Sequence, residues 1–296
     1  MNFLRLAKNC LPAVLPALAL AATIAGARGQ ENATDAKPAA APKLDLKAFP
    51  GALVDKVVVP VPAEIFAVLD KFGQPDWSGQ IQLPERNPVS AGRVRLALVF
   101  GSTVAEGFIA VQAERGESIQ DVGRRVLRLS ESLGLGDAVV PHCQSIIDAA
   151  GEKEWRRVRE ELDRTQQTVR TTMEKLRDDD LANLVSLGGW LRGTEAVTAI
   201  VSGTYSPDKA ELLNQPDIVR HFRDEIAAMN QLVRSEPEVV AIAEGLSVIL
   251  GEIEKAEGAA PSADAVLRIG ETCRTLLEGF YFEKPKPAPT GSNSQP

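Results

Sequence analysis

The sequence has 296 residues, of which 44% are hydrophobic and 25% charged, a composition typical of globular rather than disordered or fibrous proteins. Its formal net charge of −7 disfavours binding to nucleic acid, because an acidic surface repels phosphate backbones. With only two histidines, three cysteines and 5% aromatic residues, the chain offers few ligands for a metal and few rings for a cofactor, so we expect neither.

The first 27 residues are typical of a secretory signal peptide. Arg5 and Lys8 supply the positive charge, an apolar stretch follows, and Ala25-Gly26-Ala27 fits the small-residue cleavage rule. The apolar stretch is short for a membrane anchor and contains two prolines. Cleavage removes two positive charges and no negative ones, which changes the net charge from −7 to −9. We therefore expect a periplasmic or extracellular protein.

The segments on either side of the predicted domain have few bulky apolar side chains. Residues 28–50 are rich in alanine, proline and lysine, and residues 283–296 contain four prolines. Such compositions cannot bury enough apolar surface to offset the entropy lost on ordering. The sequence thus predicts a disordered leader over 28–50, a single all-helical domain over 51–282 and a disordered tail over 283–296.

Helical periodicity runs through nearly all of this domain, so the sequence predicts an all-α bundle of eight or nine helices. Residues 56–62 are the extended exception. Their only evident partner is 80–83, which allows at most one small β ladder near residues 56–83. The predicted helices comprise a short one over 63–72, then 91–114, 119–133, 137–150, 152–177 and 181–202, one that begins at Pro216, and the amphipathic stretches 239–253 and 266–280.

Polar residues at the predicted helix starts are candidate N-caps. We expect Ser90, Ser118 and Asp180 to cap three of the helices. Ser206 followed by Pro207 is typical of an N-cap with proline in the first helical position. Its Ser-x-x-Lys spacing also occurs in penicillin-binding proteins, but the Lys-Thr-Gly and Ser-Asp-Asn elements of those enzymes are absent from the sequence, which favours the cap.

The helices over 91–114 and 181–202 are apolar on nearly every side, which predicts a central position in the bundle. Glu106 interrupts the first helix, and Arg192 and Glu195 interrupt the second. Because of these charges we interpret both as core helices rather than membrane spans, and expect no transmembrane span after signal cleavage.

Charged and polar residues on the two central helices fall on narrow stripes. At 100° per residue, Arg95, Ser102 and Glu106 share one stripe, whereas Arg192 and Glu195 share another with Gly188, Ala199 and Ser202. A charge in an apolar helix is costly unless it is paired. We therefore predict that Glu106 and Arg192 are partly buried and bind each other or close neighbours.

Two interpretations of this polar cluster remain open. In the structural one, which we favour, the side chains form an internal network that fixes how the helices pack. In the functional one, Ser102, Glu106, Arg192 and Glu195 line a cleft in which the arginine holds a carboxylate or phosphate and Glu106 acts as an acid or base. Gly188 and Ala199 on the second stripe, and the small-residue spacing of Gly189 and Gly193, would allow close helix packing in either case.

The remaining histidines and cysteines have simple interpretations. His221, with Asp217 and Glu225 one turn to either side, is expected on the surface, and His142 has no apparent partner that would make a metal site. Cys143 and Cys273 would remain after export, in a compartment that permits disulfides. We favour two buried thiols. The alternative is a disulfide worth about 4–5 kcal/mol in the chain-entropy model.

No motif in the chain is specific enough to name a family or to assign a catalytic residue. The expected function is binding or structural interaction by an exported, soluble helical protein whose partner, a protein or a small molecule, is unidentified. The alternative is a receptor for a small anionic ligand, or a hydrolase-like enzyme, built around Glu106 and Arg192. An enzyme is the less favoured of the two classes.

Overall fold

A computed structural model of the chain describes residues 52–54, 57–59, 75–84 and 91–282. The predicted signal peptide, leader and tail and the short helix over 63–72 lie outside the described residues, as does Ser90. Within the described part the fold is all-α, as the sequence predicts.

Eight helices of 13 residues or more account for most of the described chain. Two four-residue helices, Pro207–Ala210 and Gln231–Arg234, lie in the connections before and after the sixth of them. In chain order the eight are α1 (Arg93–Gln112), α2 (Gly116–Leu133), α3 (Gly136–Gly151), α4 (Trp155–Leu176), α5 (Asp179–Gly203), α6 (Pro216–Ala228), α7 (Pro237–Glu254) and α8 (Ala263–Phe280).

A small antiparallel ladder joins strand β1 (Ala52–Val54) to strand β2 (Val57–Val59). The predicted extended segment therefore pairs, but the predicted partner is wrong. The polypeptide at 78–80 forms a single 3-10 turn, and 81–84 is not in a strand. Pairing with the immediately preceding residues closes a much shorter loop, which costs less chain entropy than pairing across twenty residues.

Two predicted helix caps are wrong because the helices begin earlier than their cap-like residues suggest. Helix α2 begins at Gly116, which places Ser118 inside its first turn, and no side chain caps it. Helix α5 begins at Asp179, and the Asp180 carboxylate accepts a hydrogen bond from the backbone N–H of Asn230 at 3.1 Å. The predicted cap at Ser206 is confirmed, since its Oγ accepts the N–H of Lys209 at 3.3 Å.

Helix α1 is the central element of the bundle, with 15 of its 20 residues buried. It packs against α2 and α5, and α5 in turn packs against α8. By length and composition α1 is the one helix in the described ranges that could cross a membrane, but 78% of its most apolar window is buried within the protein. The central position of both apolar helices agrees with the prediction from sequence.

Helices α1 and α5 cross with their backbones in contact. A Cβ atom on Gly101 would lie 1.8 Å from the carbonyl oxygen of Val185, and one on Gly188 would lie 2.2 Å from that of Leu98. Gly193 has no atom within 4 Å of its Cβ position, so it does not take part in the crossing. The predicted close approach at Gly188 is therefore confirmed, and its partner on α1 is Gly101, which the sequence did not single out.

Candidate functional site

Arg192 is the centre of a buried group of charges where α1 and α5 meet. Its Nε donates to Oε2 of Glu106 at 2.7 Å, and its Nη1 donates to Oε2 of Glu195, also at 2.7 Å. Its Nη2 donates to Oε1 of Glu106 at 3.3 Å and to the carbonyl oxygen of Gln80. The side chains of Arg192 and Glu106 are both 0% exposed, so their predicted pairing is confirmed and their burial is complete.

A second arginine and a non-helical segment complete this group. Arg274 of α8 donates to Oε1 of Glu195 at 3.0 Å and to the side-chain oxygen of Gln82 at 2.9 Å. The backbone N–H of Gln82 donates to Oε1 of Glu106. Two arginines thus balance two glutamates, and we call Glu106, Arg192, Glu195 and Arg274 the ion cluster. Sequence analysis missed Arg274, because its contacts are long-range and follow no local pattern.

Burial has the largest effect on the pKa of Glu106, the innermost carboxylate of the ion cluster. It raises the pKa of Glu106 above the ordinary value of 4.5, although the charge and hydrogen bonds of Arg192 lower it. The N–H of Gln82 also favours the ionised form, whereas the nearby charge of Glu195 disfavours it. Removal from water therefore outweighs the ion pair at this site.

Two other residues of the predicted stripe have structural contacts outside the cluster. The Ser102 hydroxyl donates to the carbonyl oxygen of Gly188 at 2.9 Å, across the helix crossing. Arg95 binds Oε1 of Glu238 at 2.9 Å and also the backbone carbonyl of Gly279, thereby linking α1 to α7 and α8. Arg95 shares a helix face with Glu106 but is about 16 Å away along the axis, because each residue advances the helix by about 1.5 Å.

The outer side of the ion cluster meets a shallow groove of about 510 Å³ between α5 and α8. We call it the α5–α8 groove. Glu195 and Arg274 belong to both the cluster and the groove. Its lining residues are Glu195, Thr198, Ala199, Ser202, Leu267, Gly270, Glu271, Arg274, Thr275 and Glu278. Glu195 is balanced within the ion cluster, so the acidic character of the lining comes from Glu271 and from Glu278, whose carboxylate lies 3.6 Å from Arg274.

The geometry limits what Arg192 can bind. Four of its five N–H donors are occupied by protein oxygens, and no part of its side chain is exposed. An external carboxylate or phosphate would first have to displace Gln80 or Glu195. The ion cluster is therefore an internal network. The surface beside it that solvent reaches is the acidic α5–α8 groove.

The two histidines lie in surroundings that differ from those predicted, although Glu225 is near His221 as the sequence suggests. His221 is buried, so the predicted surface trio is wrong. It belongs to the inner face of α6, its ring centroid is 5.9 Å from that of Phe222, and its Nδ1 is 3.9 Å from Glu225. Among the described residues, no group of three histidine, cysteine or acidic side chains could hold a metal ion.

His142 links α3 to α4. Its Nδ1 lies 2.8 Å from Oε1 of Glu161 and its Nε2 lies 2.9 Å from Oγ1 of Thr168. Glu161 also binds Arg164 at 3.1 Å. The order carboxylate, imidazole, hydroxyl is the order found in nucleophilic hydrolases, with threonine in the position of the nucleophile.

Cys143 and Cys273 are free, buried thiols in the structure, as the favoured interpretation expects. Burial raises the pKa of Cys143 to about 11 and raises that of Cys273 well above its usual range. Both are therefore protonated and unreactive at neutral pH while the protein is folded.

Comparison of the chain with protein-family models, with curated proteins and with solved structures finds no match in any of the three. The ion cluster, the α5–α8 groove and their charged side chains are therefore the features that bear on function.

Proposed function

We propose that the protein acts by binding, and that the α5–α8 groove is its binding site. The observation that carries the proposal is the charge of the lining: Glu195 and Arg274 are paired within the ion cluster, and Glu271 and Glu278 add two further acidic side chains around about 510 Å³ of open space. Electrostatic complementarity then favours a cationic ligand such as an amine. This choice differs from the anionic ligand of the alternative interpretation of the sequence, because Arg192 is already satisfied internally.

The walls of the groove are well suited to hold a ligand. Helix α5 is fixed by its crossing with α1, and a Cβ atom on Gly270 would lie 2.7 Å from Oγ1 of Thr198, so α5 and α8 are close at that point. Ser202 and Thr275 supply hydroxyl groups, and Leu267, which is 49% exposed, supplies apolar surface. A small organic cation with a hydrocarbon portion would match all of these features.

We also propose that the protein is exported to the periplasm or the extracellular space. The support is the positively charged, apolar and small-residue pattern of residues 1–27. Mass spectrometry of the N-terminus of the protein recovered from its host checks this assignment. A chain that retains residues 1–27 in the cytoplasm would contradict it.

A thermal-shift experiment tests the binding proposal. The full chain is heated with organic cations (spermidine, choline, agmatine) or with organic and inorganic anions (succinate, citrate, phosphate). A ligand at a hundred times its dissociation constant stabilises the folded state by about 2.7 kcal/mol. We expect cations to raise the melting temperature and anions to leave it unchanged.

A matched pair of variants assigns the effect to the groove. Glu271→Gln with Glu278→Gln removes two charges from the groove, whereas Glu131→Gln with Glu160→Gln removes two charges from α2 and α4. Only the first pair should abolish the shift. Stabilisation by anions, or equal loss of the cation effect in both pairs, would contradict the proposal.

Hydrolysis is a second candidate function, and the geometry around His142 favours it. In an ester hydrolase of this type, the Thr168 hydroxyl would attack the ester carbonyl while Nε2 of His142 takes its proton, and the departing alcohol would receive that proton. Glu161 would orient the imidazole. Water would then hydrolyse the acyl-threonine.

An activated ester such as p-nitrophenyl acetate tests this second candidate. We expect a burst of nitrophenolate in the native protein that is absent from Thr168→Ala and from His142→Gln. Thr168→Ser should retain it. Persistence of the burst in Thr168→Ala, or no burst in the native protein, would leave the His142 contacts as a structural bridge between α3 and α4.

A further inference from the structure

Residues 77–82 lie across α1 and α5 but belong to neither helix. The segment contains one 3-10 turn, Ser78–Gln80, after which Ile81 is extended. The side chain of Trp77, only 4% exposed, packs in an apolar pocket with Ile109 of α1 and Ala196 of α5. The buried side chain of Trp77 therefore contributes more to holding residues 77–82 in place than regular secondary structure does.

The ion cluster recognises this segment mainly through its backbone. Arg192 donates to the carbonyl of Gln80, and the Glu106 carboxylate accepts the N–H of Gln82. Every peptide offers such groups, whatever its side chains. Two buried charges spaced to bind one C=O and one N–H are thus a means of binding extended polypeptide.

The fit of the anchor is imperfect. Nε1 of Trp77 is buried and has no hydrogen-bond partner. An unsatisfied buried donor destabilises the bound state of the segment. A phenylalanine anchor has no N–H group to leave unsatisfied, which offsets part of the contact that a smaller ring gives up in the same pocket.

We propose that Glu106, Arg192 and the pocket around Trp77 form a peptide-binding site that residues 77–82 occupy as a displaceable latch. The partner would be a peptide that forms one 3-10 turn and then extends, with an apolar or aromatic anchor three positions before the carbonyl that binds Arg192. This site lies beside the α5–α8 groove and shares contacts with it, since Arg274 of the groove binds Gln82 and Glu195 binds Arg192.

The first test separates a latch from an integral part of the core. In the full chain with Trp77→Ala, the backbone amide of Gln82 should exchange with solvent much faster. Amides in the middle of α1 and α5 should keep their protection, because the helix crossing does not involve the segment. Trp190→Ala is the matched control. Trp190 packs against Phe222, its indole nitrogen also lacks a partner, and its removal should leave the Gln82 amide unchanged.

The second test adds the segment as a separate peptide. A fluorescent peptide with the sequence of residues 75–84 should bind the Trp77→Ala chain and slow exchange at α1 residues that contact Trp77. A tethered segment competes at an effective concentration of about millimolar, so the native chain should bind the same peptide only near that range. A peptide with phenylalanine as its anchor should still bind both chains, because it keeps an apolar ring for the pocket, and one with alanine should bind neither.

The outcomes decide between the two views. Uniformly faster exchange throughout α1 and α5 in Trp77→Ala, with no peptide binding, would show that residues 77–82 are an inseparable part of the core and would overturn the proposal. If that variant does not fold, the native chain decides. Saturable binding of the phenylalanine peptide with loss of Gln82 protection supports the latch, and no binding up to millimolar concentration overturns it.

Discussion

The two sides of α5 differ in how they meet their neighbours. Towards α1, glycines bring the backbones into contact and a fully buried arginine is bound by carboxylates on both helices. Towards α8, the same helix borders an open groove lined by hydroxyl groups and acidic side chains. Glu195 belongs to both sides, since it binds Arg192 with one oxygen and Arg274 with the other.

One face of α5 is thus packed against the core, and the other is the face at which we propose that a ligand binds. On the α1 side, charges are satisfied internally and space is filled, so a change there should lower stability. On the α8 side, side chains reach solvent, so a change there should alter ligand binding and leave stability nearly unchanged. Four predictions test this division, in order of decreasing effect.

The largest effect should come from removing the buried cation. Arg192→Met leaves the fully buried Glu106 without a cationic partner and leaves Glu195 with Arg274 alone, which we expect to lower the free energy of unfolding by about 3–5 kcal/mol. Arg274→Met is the matched change on the outer side, where the side chain is 45% exposed, and should cost no more than about 1 kcal/mol. Urea unfolding measures both. Equal losses of unfolding free energy in the two variants would contradict the proposed difference between the α1 side and the α8 side of α5.

The helix crossing gives the next effect. In Gly101→Ala the new methyl group would be 1.8 Å from a backbone oxygen, so the helices must separate, at a cost near the upper end of the usual 1–3 kcal/mol for overpacking. Gly193→Ala on α5 meets no atom within 4 Å and should raise stability by about 0.5–1 kcal/mol, because alanine favours helix. Thermal denaturation shows whether each variant is more or less stable than the native protein. A stabilising Gly101→Ala would contradict the close crossing.

The pH dependence should reveal the buried carboxyl. Because burial raises the pKa of Glu106 in the folded state, the folded protein keeps this proton at pH values where the unfolded chain has lost it. Its contribution to stability is therefore fully present below pH 4.5 and is lost as the pH rises through the folded-state pKa. Glu106→Gln lacks this titration. The stability of the native protein minus that of the variant should fall with rising pH, by about 1.4 kcal/mol per unit of pKa shift.

Thiol labelling gives the smallest effect and reports on local opening. Cys273 on α8 and Cys143 on α3 are both buried with raised pKa values, so a thiol reagent at neutral pH should react with them only when the protein opens. If the α8 side is the more open face, Cys273 should react before Cys143 and before global unfolding. Simultaneous labelling at the unfolding rate would indicate that α8 is as firmly held as α3.

Much of the fold follows from periodicity in the sequence. Apolar residues repeat at helical spacing, and two helices without a polar face have to lie inside, which is where α1 and α5 are found. The pairing of Glu106 with Arg192 also follows from the sequence, because a charge within an apolar helix requires a partner. These inferences need only local pattern and the cost of burying charge.

Other features depend on contacts between distant parts of the chain. Nothing near Arg274 or Gln82 indicates that they meet, since they are 192 residues apart. Helix starts were misplaced where a residue with positive φ, such as Glu114 or Arg177, precedes the helix and allows it to begin before the cap-like residue. Gly101 could not be singled out, because a small residue in a uniformly apolar helix has no distinctive neighbours.

The composition of α1 has a consequence for biosynthesis if the chain is exported as proposed. During translocation, an unfolded stretch of 20 mostly apolar residues can be mistaken for a stop-transfer sequence and retained in the bilayer. A charged residue near the middle of such a stretch raises the cost of insertion by about 2.5–3.5 kcal/mol. Glu106 would thus help the helix to pass through the translocon before Arg192 is available to neutralise it.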